Sequence, residues 1–203
     1  MRQRIVESLR SLGASDGDVP ADGDFKLNPA SAARAKLTPA AVLVPIVERT
    51  DGATVLLTER SARLKKHAGQ VSFPGGRAEP DDADRVATAL RETHEEIGLG
   101  AEFVDVVGRL DDYQTGTGYR VTPVVGFVRP GFSLAVDPGE VSDVFEVPLD
   151  FVLDSANHSV ESRPWNGGRR HYYVLRFAGR YIWGATAGML VNLSRRVSQL
   201  EQT

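Results

Sequence analysis

The sequence predicts an α/β protein in which helices flank a mixed, largely hairpin-connected sheet. Two β-rich runs, residues 40–49 and 54–60, are separated by Asp51-Gly52, a dipeptide that suits a tight hairpin turn. A helical pattern follows at residues 82–97, and another closes the chain at 185–200. Strands joined by short turns, with one helix inserted and one at the end, favour a sheet that is covered by helices.

The region before the first strand divides into two parts. Apolar residues recur at helical spacing over residues 2–12 and Gly13 follows as a stop, which predicts a short amphipathic packing helix. Residues 14–37 are rich in Asp, Gly and Pro, so we expect an irregular lead-in without a catalytic role. The predicted organisation is an N-terminal arm and lead-in, 1–37, followed by one domain, 38–203. The other strand candidates are residues 103–109, 121–128 and 172–177.

The composition excludes several classes of protein. The 203 residues include no cysteine, which rules out disulfides, a thiolate nucleophile and any cysteine-based zinc or iron–sulfur site. A formal charge of -3 with 41% hydrophobic residues indicates a globular protein without the basic footprint of a nucleic-acid-binding domain. Any metal must therefore be held by oxygen or imidazole ligands, and any anion site must be local.

No segment of the sequence predicts membrane insertion or export. The longest apolar run, residues 40–47, contains Pro45 and is far shorter than the roughly 20 residues that span a bilayer. The N-terminus lacks the apolar stretch of a signal peptide, and the C-terminus is neither a peroxisomal nor a retention address. We therefore expect a cytoplasmic protein with no membrane partner and no nucleic-acid partner.

The helical pattern at residues 82–97 has an apolar face and an acidic face. At about 100° per residue, Glu92, Glu95 and Glu96 fall on an arc centred roughly 125° from the apolar one. A like-charged i,i+4 pair such as Glu92 and Glu96 costs about 0.2 to 0.5 kcal/mol on an isolated helix, so a cation should offset the repulsion. Mg²⁺ or Mn²⁺ suits carboxylate oxygens and keeps waters that can act as nucleophiles. A solvated charged face is the alternative interpretation.

Glycines on both sides of this helix favour the metal site over the solvated face. Gly75-Gly76 allows the backbone to approach a ligand closely, and Gly98 can end the helix in a left-handed conformation. Basic residues precede the glycines, in the segment that begins after residue 59. The combination of a glycine entrance, an acidic face and an upstream basic segment therefore predicts a functional site rather than a solvated surface.

Residues 76–99 resemble the box of the Nudix hydrolases, G-x5-E-x7-R-E-U-x-E-E-x-G-U, in which U is bulky and apolar. Asp82 stands where the first Glu is expected, one extra residue separates it from Arg91, and Thr93 occupies an apolar position. The resemblance implies an α/β/α sandwich on a mixed β-sheet, with the box as a loop-helix-loop that binds divalent metals. The positions that match the box are Gly76, Arg91, Glu92, Glu95, Glu96, Gly98 and Leu99.

A second signature, LLTERSARLKKHAGQVSFPGG at residues 56–76, resembles the coenzyme A pyrophosphatase branch of that family, L-L-T-x-R-[SA]-x3-R-x3-G-x3-F-P-G-G. Lys65 stands where the pattern has Arg, which keeps the charge but loses the bidentate fork. The likeness continues to about Leu190. It implies that coenzyme A or acyl-CoA is the substrate.

A coenzyme A substrate carries a pyrophosphate, which metals can neutralise, and a 3′-phosphate, which basic side chains can neutralise. The candidate basic residues could instead be a solvated strand edge, and Tyr119 could be a half-buried strand aromatic rather than a support for adenine. The substrate-binding candidates are Arg60, Arg63, Lys65, His67, Gln70, Phe73, Gly75, Gly76 and Tyr119.

The predicted reaction is Mg²⁺- or Mn²⁺-dependent hydrolysis of the CoA pyrophosphate bond by water, giving 3′,5′-ADP and 4′-phosphopantetheine or its acyl form. Glu92 and Glu96 are the first-choice metal ligands, and Glu95 and the Gly76 carbonyl are supporting ones. The resemblance implies that Arg91 orients a box carboxylate through a salt bridge. The catalytic candidates are Arg91, Glu95 and Glu140, of which the last two remain alternatives as general base.

Other functions stay open on the sequence alone. One is a Nudix hydrolase of another nucleoside diphosphate derivative, such as ADP-ribose or NADH, and another is a non-catalytic nucleotide-binding Nudix domain. A plain interaction domain with an acidic helix would show no divalent-ion dependence. The acyl preference and the choice between monomer and homodimer are undecided.

Overall fold

The computed structural model describes residues 1–10, 22–29, 37–165 and 168–200. The helices are α1 (Arg2–Arg10), α2 (Arg85–Ile97), α3 (Leu149–Leu153) and α4 (Ala185–Gln199). The strands are β1 (Asp22–Gly23), β2 (Thr38–Arg49), β3 (Gly52–Arg60), β4 (Val71–Ser72), β5 (Gly75–Arg77), β6 (Val104–Arg109), β7 (Tyr113–Gln114), β8 (Tyr119–Val128), β9 (Val141–Pro148), β10 (Ser159–Trp165), β11 (Gly168–Phe177) and β12 (Arg180–Trp183).

The main sheet is mixed, as the sequence predicts. Its strand order is β1-β7-β8-β2-β3-β4, and β5, β6 and β9 pair with β2, β8 and β3 respectively. The central pair, β2 and β8, is parallel from Thr38↔Tyr119 to Val47↔Val128, whereas β3 runs antiparallel to β2. A parallel pair needs a crossover connection, and the chain between β2 and β8 supplies it with α2.

Alternation along β2 creates two cores, one on each face of the sheet. Leu43 and Val47 are fully buried in a cluster that includes the α2 residues Ala89 and Ile97. The intervening side chains, such as Val44, belong to a larger cluster with residues of α1, α3 and α4. The predicted α/β/α sandwich is confirmed, because helices cover both faces of one mixed sheet.

The predicted hairpin is present, and its turn lies one residue earlier than expected. Arg49 pairs with Gly52, so the two-residue loop is Thr50-Asp51. Gly52 has a φ of 130°, a conformation that favours glycine, and begins β3. The glycine therefore supplies the backbone freedom that the turn requires.

A second sheet and one long strand were not expected from the sequence. Strands β10, β11 and β12 form a separate antiparallel sheet, of which only part of β11 was predicted. Strand β9 pairs with β3 along the edge of the main sheet. Strand β10 contains Glu161, Arg163 and Pro164, and Asp143 and Glu146 interrupt the apolar residues of β9, so neither strand has the apolar run or the strict alternation that identifies an isolated strand.

The N-terminal region packs on the same core as the rest of the chain. Ile5 and Leu9 of α1 are buried in the larger cluster, which supports the predicted packing helix. In the lead-in, Asp24 accepts hydrogen bonds from the Tyr113 hydroxyl and the Gly116 N–H, both at 2.8 Å, and pairs with Arg170. The expectations for residues 11–13, which include the predicted stop at Gly13, and for residues 14–21 and 30–36 lie outside the described residues. No helix in the described part of the chain is long and apolar enough to cross a membrane.

Candidate active site

Helix α2 is fixed at both ends by its own sequence. The Asp84 carboxylate accepts a hydrogen bond from the Ala87 N–H at 2.8 Å, an N-cap that begins the helix. Gly98, with a φ of 70°, ends the helix and donates its N–H to the His94 carbonyl at 2.8 Å. Because Ala89 and Ile97 are buried against the sheet, the acidic residues on the other side are presented away from that core.

The glycine segment before the helix lies directly on two of these carboxylates. The Gly75 N–H donates to Glu96 Oε2 at 3.0 Å. A Cβ at Gly76 would overlap the carboxylate of Glu92. Gly75 has a φ of 143° and lies against the backbone of Ala41, so neither position tolerates a larger side chain without displacement. The two glycines thus bring backbone into contact with both glutamates.

Burial leaves the charges of Glu96 and Glu92 incompletely compensated. Glu96 is 3% exposed, and burial raises its pKa to about 7 even though the Gly75 N–H and Arg60 favour the charged form. The Arg60 guanidinium is 3.6 Å from Glu96. Burial also raises the pKa of Glu92. An additional cation would stabilise both carboxylates.

A third carboxylate, Glu140, approaches this pair from a different part of the chain. The loop that carries it crosses the C-terminus of α2, where the Asp137 N–H donates to the Glu96 carbonyl at 2.9 Å. The Glu140 carbonyl accepts the Ser61 N–H at 2.8 Å. The charge of Glu140 raises the pKa of both Glu92 and Glu96, which shows that it lies within electrostatic reach of them.

Arg91 is the centre of a separate ionic cluster. Its Nε and Nη2 atoms bind the two oxygens of Asp82 at 2.9 and 3.0 Å, a bidentate pair. Its Nη1 atom is 3.0 Å from Glu95 and 3.2 Å from Glu92. The bond from Arg91, with a second from the Glu79 N–H, holds the pKa of Asp82 far below its ordinary value. Arg91 therefore connects the loop before the helix to the acidic face.

The arrangement fits a divalent cation at Glu92 and Glu96, although the set is incomplete. In residues 1–10, 22–29, 37–165 and 168–200, no group of three or more Asp, Glu or His side chains is close enough to hold a metal ion. The fit rests on a buried carboxylate with excess negative charge beside a second carboxylate and glycine backbone, which are oxygen donors suited to Mg²⁺ or Mn²⁺. Water would supply the remaining ligands.

The structure places Glu95 on the exposed side of Arg91, whose Nη1 atom it shares with Glu92. Its side chain is 56% exposed and bonds to Arg91 rather than approaching Glu96. The salt bridge that the resemblance implied for Arg91 is present, with Glu95 and Glu92 as partners. Glu95 thus occupies a different position from the one expected of a supporting metal ligand.

The substrate-binding candidates occupy several environments. Arg60 lies at the end of β3 beside Glu96, whereas Arg63, Lys65 and His67 are exposed in the loop after it. His67 has a φ of 58°, and its Nδ1 atom is 2.8 Å from Gln70 Oε1. A strained residue in an exposed loop is frequently associated with ligand binding.

Two aromatic candidates differ from each other in exposure. Tyr119 is 37% exposed at the start of β8, so part of its ring is accessible from the surface. The expectation that Phe73 contacts substrate is wrong, because its side chain is 2% exposed and packs in the larger core. The apolar nature of Phe73 serves to anchor the glycine segment that follows it.

Asp82 and Thr88 are site residues that the sequence reasoning missed. Thr88 is buried and donates its hydroxyl to Asp82 at 2.9 Å, which fixes the carboxylate that holds Arg91. The position of Asp82 in the box was the available signal. The role of Asp82 was missed because Asp is shorter than the Glu of the box pattern and stands one residue further from Arg91. Whether its carboxylate reaches Arg91 therefore depends on the conformation of the loop between them.

Comparison with known proteins agrees with this geometry. The sequence model of the NUDIX domain matches residues 37–166. The chain belongs to the Nudix family. A relative from Photorhabdus laumondii, named an uncharacterized Nudix hydrolase NudL, is 42% identical over 158 residues, which cover 78% of this chain and 84% of the relative. NudL from Yersinia pestis is 42% identical over 160 residues, covering 78% of this chain and 79% of its own length.

A solved Nudix structure has the same fold. The MutT/nudix family protein from Enterococcus faecalis has a TM-score of 0.51 and 15% identity, covering 83% of this chain and 64% of that chain. At this identity the similarity concerns the fold alone. Family membership makes α2 with its preceding glycines the Nudix box, and it makes the chain a Nudix hydrolase of a nucleoside diphosphate derivative.

The bond between Asp82 and Arg91 makes stability depend on pH in a defined direction. Because the folded pKa of Asp82 is lowered, its stabilisation is complete above the unfolded value of about 3.9 and is lost as the pH falls through the folded value. We expect Asp82→Asn to lower the free energy of unfolding at neutral pH. The difference from the wild type should shrink below about pH 4.

Urea unfolding followed from about pH 7 to about pH 3 measures this difference. Asp81→Asn, at an exposed neighbouring position, is the matched control and should change the free energy of unfolding by no more than about 0.5 kcal/mol. A difference for Asp82→Asn that stays constant over the whole pH range would contradict the ion-pair assignment.

Proposed function

We propose that this Nudix hydrolase cleaves the pyrophosphate bond of coenzyme A or acyl-CoA in a divalent-metal-dependent reaction. The products are 3′,5′-ADP and 4′-phosphopantetheine or its acyl form. The observation that supports this substrate is the contact between the 56–76 segment and the box. Arg60 lies 3.6 Å from Glu96, and the same segment ends in Gly75, which donates to Glu96. The signature that resembles the CoA branch therefore adjoins the proposed metal ligands.

In this proposal Glu92, Glu96 and the Gly76 backbone hold Mg²⁺ or Mn²⁺. A bound divalent ion supplies charge neutralisation for the pyrophosphate and a more acidic water. The chain contributes position, because Gly75 fixes one carboxylate of the pair by a hydrogen bond. Phosphoryl transfer demands little covalent chemistry from the protein, so charge and orientation account for most of the acceleration.

The basic loop after β3 is proposed to bind the phosphates that the metal does not reach. Arg60 is adjacent to the metal ligands and would contact the pyrophosphate. Arg63, Lys65 and His67 are exposed and would bind the 3′-phosphate that distinguishes coenzyme A from ADP-ribose and NADH. Tyr119 offers an exposed ring for the adenine.

Glu140 is our choice for the general base. Glu95 is held by Arg91 at 3.0 Å on the exposed side of the helix rather than beside Glu96. Glu140 is exposed and lies within electrostatic reach of both Glu92 and Glu96. It can therefore accept a proton from a water beside the metal ligands without losing an ion pair.

The first test compares coenzyme A, ADP-ribose and NADH as substrates in the presence of Mg²⁺, of Mn²⁺ or of chelator, with products identified by mass. We expect metal-dependent release of 3′,5′-ADP from coenzyme A and much lower rates with the other two compounds. Cleavage mainly of ADP-ribose or NADH would reject the CoA assignment and keep the Nudix hydrolase. Activity that persists in chelator would reject the metal site.

Replacement of the buried box glutamate tests the metal ligands. We expect Glu96→Gln to lower kcat at least about 100-fold, because the amide cannot neutralise a cation, while the fold is retained. Glu102→Gln, at an exposed glutamate outside the box, is the control and should keep wild-type turnover. Steady-state kinetics with circular dichroism of each variant give the result, and near-wild-type turnover of Glu96→Gln would reject the assignment.

A paired substitution distinguishes the two candidate bases. We expect Glu140→Gln to reduce kcat about 100-fold to 10,000-fold, the usual contribution of a general base. Glu95→Gln should cause a smaller loss of kcat, because Arg91 keeps its bonds to Asp82. The reverse ranking would assign the base to Glu95.

A further inference from the structure

The second sheet carries an arginine surrounded by three aromatic rings. The guanidinium of Arg163 lies 4.7 Å from the ring centre of Trp183, 5.5 Å from that of Trp165 and 5.9 Å from that of Tyr172. Tyr172 and Trp183 contact each other edge to face at 5.3 Å. We call this group the Arg163 cluster. Both tryptophans of the chain belong to it.

The Arg163 cluster lies on the side of the second sheet that faces away from the larger core. Leu175 and Ile182 pair across β11 and β12 and are buried in that core. Tyr172 and Trp183 have the opposite parity on the same strands. Val174 is buried beside Trp183, whereas Trp165 at the far end is 49% exposed. The cluster is therefore accessible from its Trp165 end.

The positive charge of Arg163 has no counterion among the residues that the structure describes. Its cross-strand partner is Arg170, and like charges directly opposite each other destabilise a sheet. Arg170 is paired with Asp24, and both guanidiniums contact the ring of Trp165 at 5.5 Å. The Nε atom of Arg163 is buried and has no acceptor. Glu161 lies on the same side of the sheet, opposite Tyr172, but pairs with Arg176. The two opposed arginines therefore share one carboxylate, Asp24, and a local excess of positive charge remains.

We propose that the Arg163 cluster is an accessory site for a nucleoside phosphate. Three aromatic ring centres lie within 5.9 Å of the Arg163 guanidinium, and its buried Nε–H has no acceptor, which the oxygen of a phosphate in the guanidinium plane would supply. The exposed ring of Trp165 provides a surface on which a base can stack. One ligand that carries both a phosphate and an aromatic base satisfies both features, which phosphate alone does not.

The accessory site is separate from the Nudix box. Helix α2 packs on one face of the main sheet, and Leu175 and Ile182 of the second sheet pack on the other. The Arg163 cluster lies on the opposite side of the second sheet from that core, and it shares no residue with the box or with the basic loop after β3. A nucleotide at the cluster is thus a second ligand rather than a part of the substrate held at the box.

Intrinsic fluorescence reports on this site alone, because the chain has no tryptophan elsewhere. The probe is 5′-AMP in the presence of chelator, since a monophosphate has no phosphoanhydride bond for the box to cleave. We expect a saturable change in emission, with inorganic phosphate binding about tenfold more weakly because it cannot stack. The Glu96→Gln variant should give the same titration as the wild type.

Substitution of Arg163 tests the assignment of the phosphate contact. We expect Arg163→Gln to weaken AMP binding at least about tenfold, since it removes the charge-assisted hydrogen bonds. Arg163→Lys keeps the positive charge but lacks the planar guanidinium, so it should also weaken AMP binding. This variant provides the test if Arg163→Gln does not fold. Arg169→Gln is the matched control, because Arg169 adjoins Arg170 in sequence and lies on the other side of β11.

Four results would overturn the proposal. The first is a fluorescence change that does not saturate with AMP, and the second is an AMP affinity of the Arg163→Gln and Arg163→Lys variants that equals that of the Arg169→Gln control. The third is equal affinity of the wild type for phosphate and for AMP, and the fourth is loss of the fluorescence signal in Glu96→Gln. A short oligonucleotide that binds far more tightly than AMP, with steep salt dependence, would assign the face to nucleic acid and overturn the mononucleotide site as well.

Discussion

The burial of the Glu96 carboxylate is the constraint on which the rest of the candidate active site depends. Its oxygens meet the Gly75 N–H at 3.0 Å and the Arg60 guanidinium at 3.6 Å, so one side chain joins α2, the glycine segment and the end of β3. Burying a carboxylate is costly unless it is compensated, and two partial compensations still leave its pKa raised. The fold therefore holds a negative charge at a place where a divalent cation restores the balance.

Glutamates on one helix acquire different tasks from their surroundings. Glu92 and Glu96 lie against glycine backbone in a desolvated position, and Glu95 is exposed on Arg91. Asp82 and Thr88 fix Arg91 from the loop before the helix. The division follows the helical period: Glu92 and Glu96 are one turn apart and share a side, while Glu95 is rotated by about 100° from its neighbour.

The main sheet separates two kinds of surface. One face carries the box, whose charge is negative and only partly compensated. The other face supports the helices and the second sheet, where Arg163 and Arg170 leave a positive excess beside exposed Trp165. The lead-in contributes here, since Asp24 joins Tyr113, Gly116 and Arg170 from three elements. An apparently irregular segment thus connects the second sheet to the β7–β8 hairpin.

The sequence by itself determined the mixed α/β fold, α2 with its C-terminal glycine cap, the hairpin before β3 and the acidic face, because periodicity, capping and turn residues act within a few positions of the chain. It did not reveal β9, β10 and β12, whose polar residues become strands through pairing. Nor did it reveal that Phe73 is a core residue, that Arg91 holds Asp82, or that Glu95 lies exposed on Arg91. Those contacts join distant segments, and their burial and electrostatics exist only after the sheet has brought the segments together.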